Sequence, residues 1–208
     1  LLLLFISILL IYFFAQKYLI GSEIQKIIII SFNTISIISG TGFISENFEG
    51  WGNYASTLFL ILMFIGGCAG STTGGIKIFR FQILLKFIAI HLKKMLQPHA
   101  VIASHFNGRK IQDSTYESVM IFFFIYILTF AFSALLLSFS GLDFLTCFSA
   151  AASAISNVGP GLGEIIGPEG NYGSLTSYTK IILIFTMFLG RLEMLTILVL
   201  FLPSFWKN

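Results

Sequence analysis

Charged residues are scarce in this chain, and their scarcity excludes most classes of soluble protein. Only 10% of its 208 residues are Asp, Glu, Lys or Arg, whereas about a quarter of an average soluble domain is charged. Apolar residues make up 56% of the chain, and 24 residues are Phe. A soluble fold of this length could not cover its surface with so few charges, so the composition indicates a membrane protein with several spans.

Cysteine and grouped catalytic side chains are equally rare. Cys68 and Cys147 both lie in apolar stretches, which favours small buried side chains over a disulfide or a metal site. No nucleophile, base and acid occur together in the sequence, so a membrane enzyme has little support. The net charge of +3 is too small to indicate nucleic acid as a partner.

Apolar runs of two lengths alternate along the chain. Residues 1–19, 119–139 and 181–202 each approach the roughly 20 apolar residues that a membrane-spanning helix requires. Residues 27–38 and 142–155 are too short to cross. Runs of that length predict re-entrant helices, which enter the membrane and stop partway.

One long apolar segment, residues 54–90, is interrupted by a polar, glycine-rich stretch that we name the broken-helix loop. The loop consists of Gly66, Gly67, Cys68, Ala69, Gly70, Ser71, Thr72, Thr73, Gly74 and Gly75. Each glycine costs about 1 kcal/mol relative to alanine inside a helix, so we expect no helix here. Non-helical backbone at membrane depth is tolerated only where it is buried in protein or lines a water-filled cavity.

Both short apolar runs end in glycine-containing turns. The first glycine loop is Ser39, Gly40, Thr41, Gly42 and Phe43, and the second glycine loop is Ser156, Asn157, Val158, Gly159 and Pro160. Backbone carbonyls in such turns replace the water shell of a cation, and glycine permits the backbone angles that aim them. The preceding helix also points its negative dipole end at the ion. We therefore predict two segments of a cation filter; ordinary turns that end interfacial helices are the alternative.

The two glycine loops occupy equivalent places in an internal repeat. When Gly42 is aligned with Gly159, residues 36–39 fall against residues 153–156, and each copy contains a span, a short helix, a glycine loop and a span. Weak internal symmetry of this kind is typical of membrane transport proteins. The predicted fold is an all-α membrane protein with two span–pore helix–span repeats. The predicted divisions are a pore unit at residues 1–95, a cytoplasmic linker at residues 96–113 and a pore unit at residues 114–208.

Positive charge is concentrated between the two repeats. Seven of the twelve Lys and Arg residues lie between residues 76 and 112, and no Asp or Glu occurs between residues 50 and 112. By the positive-inside rule this stretch is cytoplasmic, and both glycine loops face the outside. The basic helix in this stretch is expected to contact anionic lipid or a soluble partner.

Arg191 lies in the middle of the last apolar run. A mid-span Arg costs about 2.5–3.5 kcal/mol, so such a residue faces protein or water. We predict that Arg191 projects into an ion path below the glycine loops, contacts the broken-helix loop and forms a gate with it. Glu193 is expected to bond a neighbouring helix or Lys77. The alternatives are a structural tie between helices for Arg191 and a packing kink for the loop.

Three motifs in order identify a resemblance to a known family. The broken-helix loop with Lys77 resembles the intramembrane loop of the Trk/Ktr/HKT potassium transporters, residues 157–163 resemble the last filter segment of the Trk-type subunit, and residues 190–193 are similar to the arginine segment of its final span. The resemblance implies four pore units around one pore, of which this chain carries the third and fourth. It also implies that potassium is held by the backbone carbonyls of Thr41, Gly42, Val158 and Gly159.

Further expectations follow from the same resemblance. Gly42 and Gly159 correspond to filter glycines associated with a preference for potassium over sodium, whereas Thr73 stands where relatives tend to have glycine and adds a hydroxyl that stiffens the loop. A non-conducting scaffold or assembly subunit and a sodium-permeable relative are the alternatives.

The resemblance also implies partners and a location. It predicts a missing N-terminal half with the first two pore units, a homodimer partner and a cytosolic ring of nucleotide-binding regulatory subunits. The chain itself would hold no cofactor, because potassium is the transported ion and nucleotide binds only to the ring. The expected location is the inner or plasma membrane, with several spans. The chain begins at Leu1 inside an apolar run, so we expect its true start to lie upstream.

Overall fold

The computed structural model describes residues 2–68, 70–97, 105–106, 109–111, 113–191 and 203–206. Seven α-helices dominate these residues, as the sequence predicts. They are α1 (Leu2–Ala15), α2 (Glu23–Ser39), α3 (Asn53–Met63), α4 (Ile78–Leu96), α5 (Asp113–Ser138), α6 (Phe144–Ser156) and α7 (Ser177–Arg191). The described residues also contain three short 3-10 helices, Phe48–Trp51, Tyr172–Ser174 and Pro203–Trp206.

Helix α5 is the membrane span that the structure supports most directly. Within it, Ser114–Ser138 has a mean hydropathy of 2.5, and no other described helix is both long and apolar enough to cross a membrane by itself. This helix covers the predicted span at residues 119–139 except for its last residue. Helix α7 covers the predicted span at residues 181–202 only as far as Arg191, because residues 192–202 lie outside the described part of the chain.

Helix α2 begins earlier than the apolar run that predicts it. Ser22 and Gln25 form a capping box. The backbone N–H of Gln25 donates to the Ser22 hydroxyl at 3.4 Å, and the backbone N–H of Ser22 donates to the side-chain oxygen of Gln25 at 3.0 Å. These bonds satisfy backbone donors of the first turn. The helix therefore starts at Glu23 and has 17 residues instead of covering only residues 27–38.

The predicted interruption of the third apolar segment is confirmed. Helix α3 ends at Met63 and α4 begins at Ile78, so the broken-helix loop separates them. Strands β1 (Ile65–Gly66) and β2 (Ile76–Lys77) close the base of the loop as a parallel pair. A Cβ on Gly66 would overlap the Gly74 carbonyl, so this close approach of two backbone segments requires glycine.

The stretch between the repeats contains a strand pair that the all-α prediction omits. Strands β3 (His105–Phe106) and β4 (Arg109–Lys110) pair in antiparallel fashion inside the predicted linker. The sequence between them is Asn-Gly, a strong hairpin signal. Helix α4 runs on to Leu96 and α5 starts at Asp113; the cytoplasmic linker at residues 96–113 stays a prediction.

Helix α6 lies at the centre of the second repeat. Ten of its 13 residues are buried, and most of them are Ala or Ser. Small side chains allow close helix–helix approach in membrane proteins. A second core joins α1, α2 and α3 through Ile11, Ile37, Phe59 and Met63, and it also includes Val158 and Leu162, which follow α6.

The contact between α6 and α7 predicts the effect of one substitution. A Cβ on Gly190 would overlap the Ile155 carbonyl, so Gly190→Ala must push α7 away from α6. Overpacking of this kind costs about 1–3 kcal/mol. We expect a lower thermal unfolding midpoint in detergent.

Gly50→Ala is the matched control, because no atom lies within 4 Å of a Cβ added at Gly50. We expect its midpoint to equal that of the parent. Equal midpoints for both variants would contradict this close helix contact.

Candidate functional site

The first glycine loop starts where α2 ends in a left-handed residue. Gly40 has φ 67°, and its N–H donates to the carbonyls of Ile37 and Ser36. The next N–H, that of Thr41, donates to the Ser36 carbonyl at 3.0 Å. These bonds use carbonyls that the end of a helix leaves without partners. Phe43, the last residue of the loop, is largely exposed.

The second glycine loop ends α6 in the same way. Asn157 takes the left-handed conformation with φ 53°, and it is the one described non-glycine residue with positive φ. The Val158 N–H donates to the Ser153 carbonyl at 3.0 Å, which repeats the Thr41–Ser36 bond in the alignment predicted from the sequence. Asn tolerates this conformation better than most residues. Its side-chain amide also donates to the Met187 carbonyl of α7 at 3.1 Å.

The two glycine loops lie directly against each other. A Cβ on Gly42 would overlap the Val158 carbonyl and lie 3.0 Å from Pro160. A Cβ on Gly159 would lie 4.0 Å from the Gly42 Cα atom. Loops from separate repeats therefore bring their backbones together at the C-terminal ends of two short helices, as a shared ion site requires.

One carbonyl of the second glycine loop already has a side-chain partner. The Tyr172 hydroxyl donates to the Gly159 carbonyl at 2.7 Å. A carbonyl oxygen has two lone pairs, so the Gly159 carbonyl can still accept a second interaction. Tyr172 is absent from the predicted site, because it lies beyond the loop in sequence and no motif marks it.

Buried polar side chains hold the chain that returns from each loop. Asn33 of α2 donates to the Ser45 hydroxyl at 2.8 Å and accepts from the Ser45 N–H at 3.2 Å. Ser149 of α6 accepts from the Leu162 N–H at 2.8 Å and lies 3.1 Å from the Leu162 carbonyl. Neither side chain is among the predicted site residues. Their signal in the sequence is a polar residue inside a short apolar run.

Glu49 links the two repeats on the side of the glycine loops. Its carboxylate accepts a hydrogen bond from the Gly163 N–H, just after the second glycine loop. Glu49 belongs to the first repeat and Gly163 to the second, so the bond ties one unit to the other. Asp143 caps the N-terminal end of α6 by accepting from the Thr146 N–H at 3.1 Å. Hydrogen bonding to Thr146 lowers the pKa of Asp143.

Hydroxyl groups hold the broken-helix loop closed. The Gly67 N–H donates to the Thr73 hydroxyl at 2.8 Å, and the Thr73 N–H donates to the Ser71 hydroxyl at 3.1 Å. The two hydroxyl oxygens are 2.7 Å apart. Thr73, the residue that departs from the expected glycine, is thus the centre of these bonds.

The broken-helix loop contacts both the second glycine loop and the last helix. A Cβ on Gly74 would overlap the Ser156 carbonyl, so the loop passes immediately beside the end of α6. Arg191 Nη1 donates to the Thr72 carbonyl at 2.5 Å, which is the contact that the sequence predicts between this arginine and the loop. Two residues of the predicted gate, Ala69 and Glu193, lie outside the described residues.

The two cysteines differ in their surroundings. Cys147 is buried, as predicted, but Cys68 is exposed, so the prediction of a buried side chain is wrong for Cys68. The reason is that α3 ends at Met63, so Cys68 lies in the broken-helix loop and not on a packed helix face. Lys77, a residue of the predicted gate, lies at the end of β2 and lines the same cavity as Arg191.

Comparisons with known proteins find a matching family and several relatives. Residues 2–208 match the family described as TrkH, cation transport protein. The chain is 44% identical over 179 residues to the Trk system potassium uptake protein TrkI of Halomonas elongata, and 37% identical over 177 residues to the protein TrkH of Escherichia coli K12. These matches cover 86% and 85% of the chain but 36% of each relative.

A solved structure shows the same fold. The crystal structure of the potassium transporter TrkH from Vibrio parahaemolyticus matches with a TM-score of 0.88 and 35% sequence identity. The match covers 98% of this chain and 43% of that chain. The chain thus spans less than half the length of the relatives that it matches.

Removal of the buried side-chain amide of Asn33 is expected to lower the stability of the fold. Asn33→Ala removes the two hydrogen bonds to Ser45. Ser45 is exposed, so water can replace its partner, and the expected cost is the roughly 0.5–1.5 kcal/mol that a typical hydrogen bond contributes. We expect a lower thermal unfolding midpoint in detergent. Thr57→Ala is the control, because Thr57 forms an exposed hydrogen bond to its own helix and its loss is expected to cost less than about 0.5 kcal/mol. A midpoint for Asn33→Ala that matches the control would show that Ser45 is held by other contacts.

Proposed function

Because this chain belongs to the TrkH family of cation transport proteins, we propose that it supplies two pore units of a potassium uptake transporter. The relatives are named Trk system potassium uptake proteins. The contact between the two glycine loops is the observation that carries the proposal, since it brings two sets of backbone carbonyls to one place at the ends of two re-entrant helices.

The glycine loops are suited to a cation that has lost its water. Carbonyl oxygens supply ligands without a fixed charge, and potassium would be coordinated by those of Thr41, Gly42, Val158 and Gly159. Positive φ at Gly42 and Gly159 supports this assignment, because such angles turn successive peptide groups out of helical alignment. Both helices also direct their negative dipole ends toward the loops. The Tyr172 hydroxyl fixes the orientation of the Gly159 peptide.

The broken-helix loop and Arg191 are proposed to form the gate. The loop passes beside the inner end of the second glycine loop, so an ion that leaves the filter meets it next. Its hydroxyl bonds and the bond from Arg191 to Thr72 hold it in this position. The positive charge of Arg191 adds an electrostatic barrier for cations. Opening would require the Arg191–Thr72 bond to break.

Two pore units surround only part of a pore, so the proposed transporter requires further partners. An apolar cavity of about 320 Å³ lies open between α6 and α7, beside Ala154, Leu183 and Met187, and the two remaining pore units would cover it. The family resemblance supplies the other partners: a second copy, and a cytosolic ring that binds nucleotide while this chain binds none. The proposed location is the inner or plasma membrane with several spans, where the exposed apolar side chains contact lipid.

Growth at low potassium tests the proposed function. The chain is expressed together with the first two pore units of a relative in a bacterial strain that lacks potassium uptake. We expect growth at limiting potassium and uptake of rubidium-86. Assembly in the membrane without uptake would favour a scaffold, and equal uptake of sodium would favour a sodium-permeable relative.

The close contact at Gly42 predicts a loss of uptake. Gly42→Ala must displace the Val158 carbonyl and adopt an unfavourable φ of 70°, so we expect rubidium-86 uptake to fall by about tenfold or more, which equals about 1.4 kcal/mol or more of lost ion stabilisation. Gly141→Ala is the control. Gly141 has φ 72° but open space around an added Cβ, so it carries the backbone strain without the displaced carbonyl. Equal uptake by both variants would exclude Gly42 from the filter.

The proposed gate predicts that uptake rises when the charge of Arg191 is removed, whereas uptake falls for Gly42→Ala. Arg191→Gln removes the charge and weakens the bond to Thr72, so we expect a severalfold increase in rubidium-86 uptake by the resting transporter. Lys94→Gln removes a charge from the exposed end of α4 and is expected to have no effect. Unchanged uptake by Arg191→Gln would contradict the gate, and a loss of folded protein would favour the structural tie.

A further inference from the structure

Two short helical turns occupy equivalent places after the two glycine loops. The 3-10 helices that begin at Phe48 and Tyr172 each follow an asparagine whose side chain accepts from the backbone N–H two residues further on, at 3.0 Å for Asn47 and 2.8 Å for Asn171. An offset of 124 residues aligns these turns and also the first residues of α3 and α7. Tyr172 is therefore the equivalent of Phe48 in the second repeat, and the two side chains differ by one hydroxyl group.

The hydroxyl group of Tyr172 reaches the second glycine loop. It donates to the Gly159 carbonyl at 2.7 Å, a bond that the ring of Phe48 cannot offer to the first glycine loop. The Tyr172 ring packs against the core that joins α5, α6 and α7, which directs the hydroxyl. Burial raises the pKa of Tyr172, and a side-chain hydrogen bond with Ser153 offsets part of that rise. The phenol therefore stays protonated at neutral pH and remains a donor.

The N–H of Gly159 has a side-chain partner as well. It donates to the Ser153 hydroxyl at 3.0 Å, and Ser153 is a buried residue of α6. In the first glycine loop the equivalent N–H, that of Gly42, donates to the backbone carbonyl of Ser36 at 3.4 Å. Side chains thus hold both polar backbone groups of Gly159, which distinguishes the second loop from the first.

Packing alone does not hold the backbone of Gly159. This residue has φ 116°, and a Cβ added to it would meet a single atom, the Gly42 Cα at 4.0 Å. A glycine with open space around it can rotate its peptide groups at little steric cost. The bonds from Tyr172 and to Ser153 therefore supply the constraint that packing leaves out.

The direction of one carbonyl affects which ion a filter prefers. Discrimination between potassium and sodium depends on the size of the carbonyl cage or on the number and field strength of its ligands, and a carbonyl that turns alters each of these. We infer that Tyr172 and Ser153 are positioning residues that hold the Gly159 carbonyl and thereby determine how strongly the second glycine loop prefers potassium to sodium. This inference rests on the proposed function, because it takes Gly159 as part of a filter.

Competition between sodium and rubidium tests the inference in the transporter assembled with the first two pore units of a relative. Two quantities are measured, the KM for rubidium-86 uptake and the sodium concentration that halves this uptake. Tyr172→Phe keeps the ring and removes the hydroxyl. An ordinary hydrogen bond corresponds to about twofold to tenfold in affinity, so we expect the ratio of the sodium concentration to the rubidium KM to fall by that factor. Ser153→Ala removes the acceptor of the Gly159 N–H and is expected to lower the same ratio.

Ser133→Ala is the matched control. It removes a buried hydroxyl that lies 2.9 Å from the Thr186 hydroxyl between α5 and α7, so it deletes a bond of the same kind away from both glycine loops, and we expect the ratio of the parent. If Tyr172→Phe does not assemble, Ser153→Ala decides in its place.

An unchanged ratio for Tyr172→Phe, or an equal fall for Ser133→Ala, would overturn the inference and leave the proposed function intact. A parent that takes up no rubidium would overturn the proposed function and this inference with it.

Discussion

Peptide groups that leave a helix inside a membrane must find partners within the protein, because hydrocarbon supplies none. This constraint explains the hydrogen bonds around the two glycine loops. The Ser36 and Ser153 carbonyls take the N–H groups that follow α2 and α6, and Asn33 and Ser149 take those of the returning chain. The carbonyls that remain are the ones available to a cation.

The same constraint shapes the broken helix. Between α3 and α4 the chain closes on itself through the β1–β2 pair, and hydroxyls of the loop bind its own amides. The loop is therefore stable in one closed form without being helical. Its outside contacts include the bond from Arg191, and the proposed gate depends on this link between the loop and α7.

Features that depend on local chemistry could be predicted from the sequence. Glycine content predicts the break between α3 and α4, and the rarity of a mid-span arginine singles out Arg191. Run length predicts a short α6 but misses the first turn of α2, which a capping box adds. The contacts that support the site could not be predicted in this way. Glu49 meets Gly163 and Tyr172 meets Gly159 only because folding brings separate segments together. The exposure of Cys68 likewise depends on the direction in which the loop turns, which composition does not specify.

The central claim is that the two glycine loops share one cation between backbone carbonyls. A crystal structure of the assembled transporter soaked in thallium, a heavy monovalent substitute for potassium, tests this claim most directly. Anomalous density is expected between residues 39–43 and 156–160, within coordination distance of carbonyls from both loops. Density confined to other places, or loops that lie apart with lipid between them, would contradict the claim.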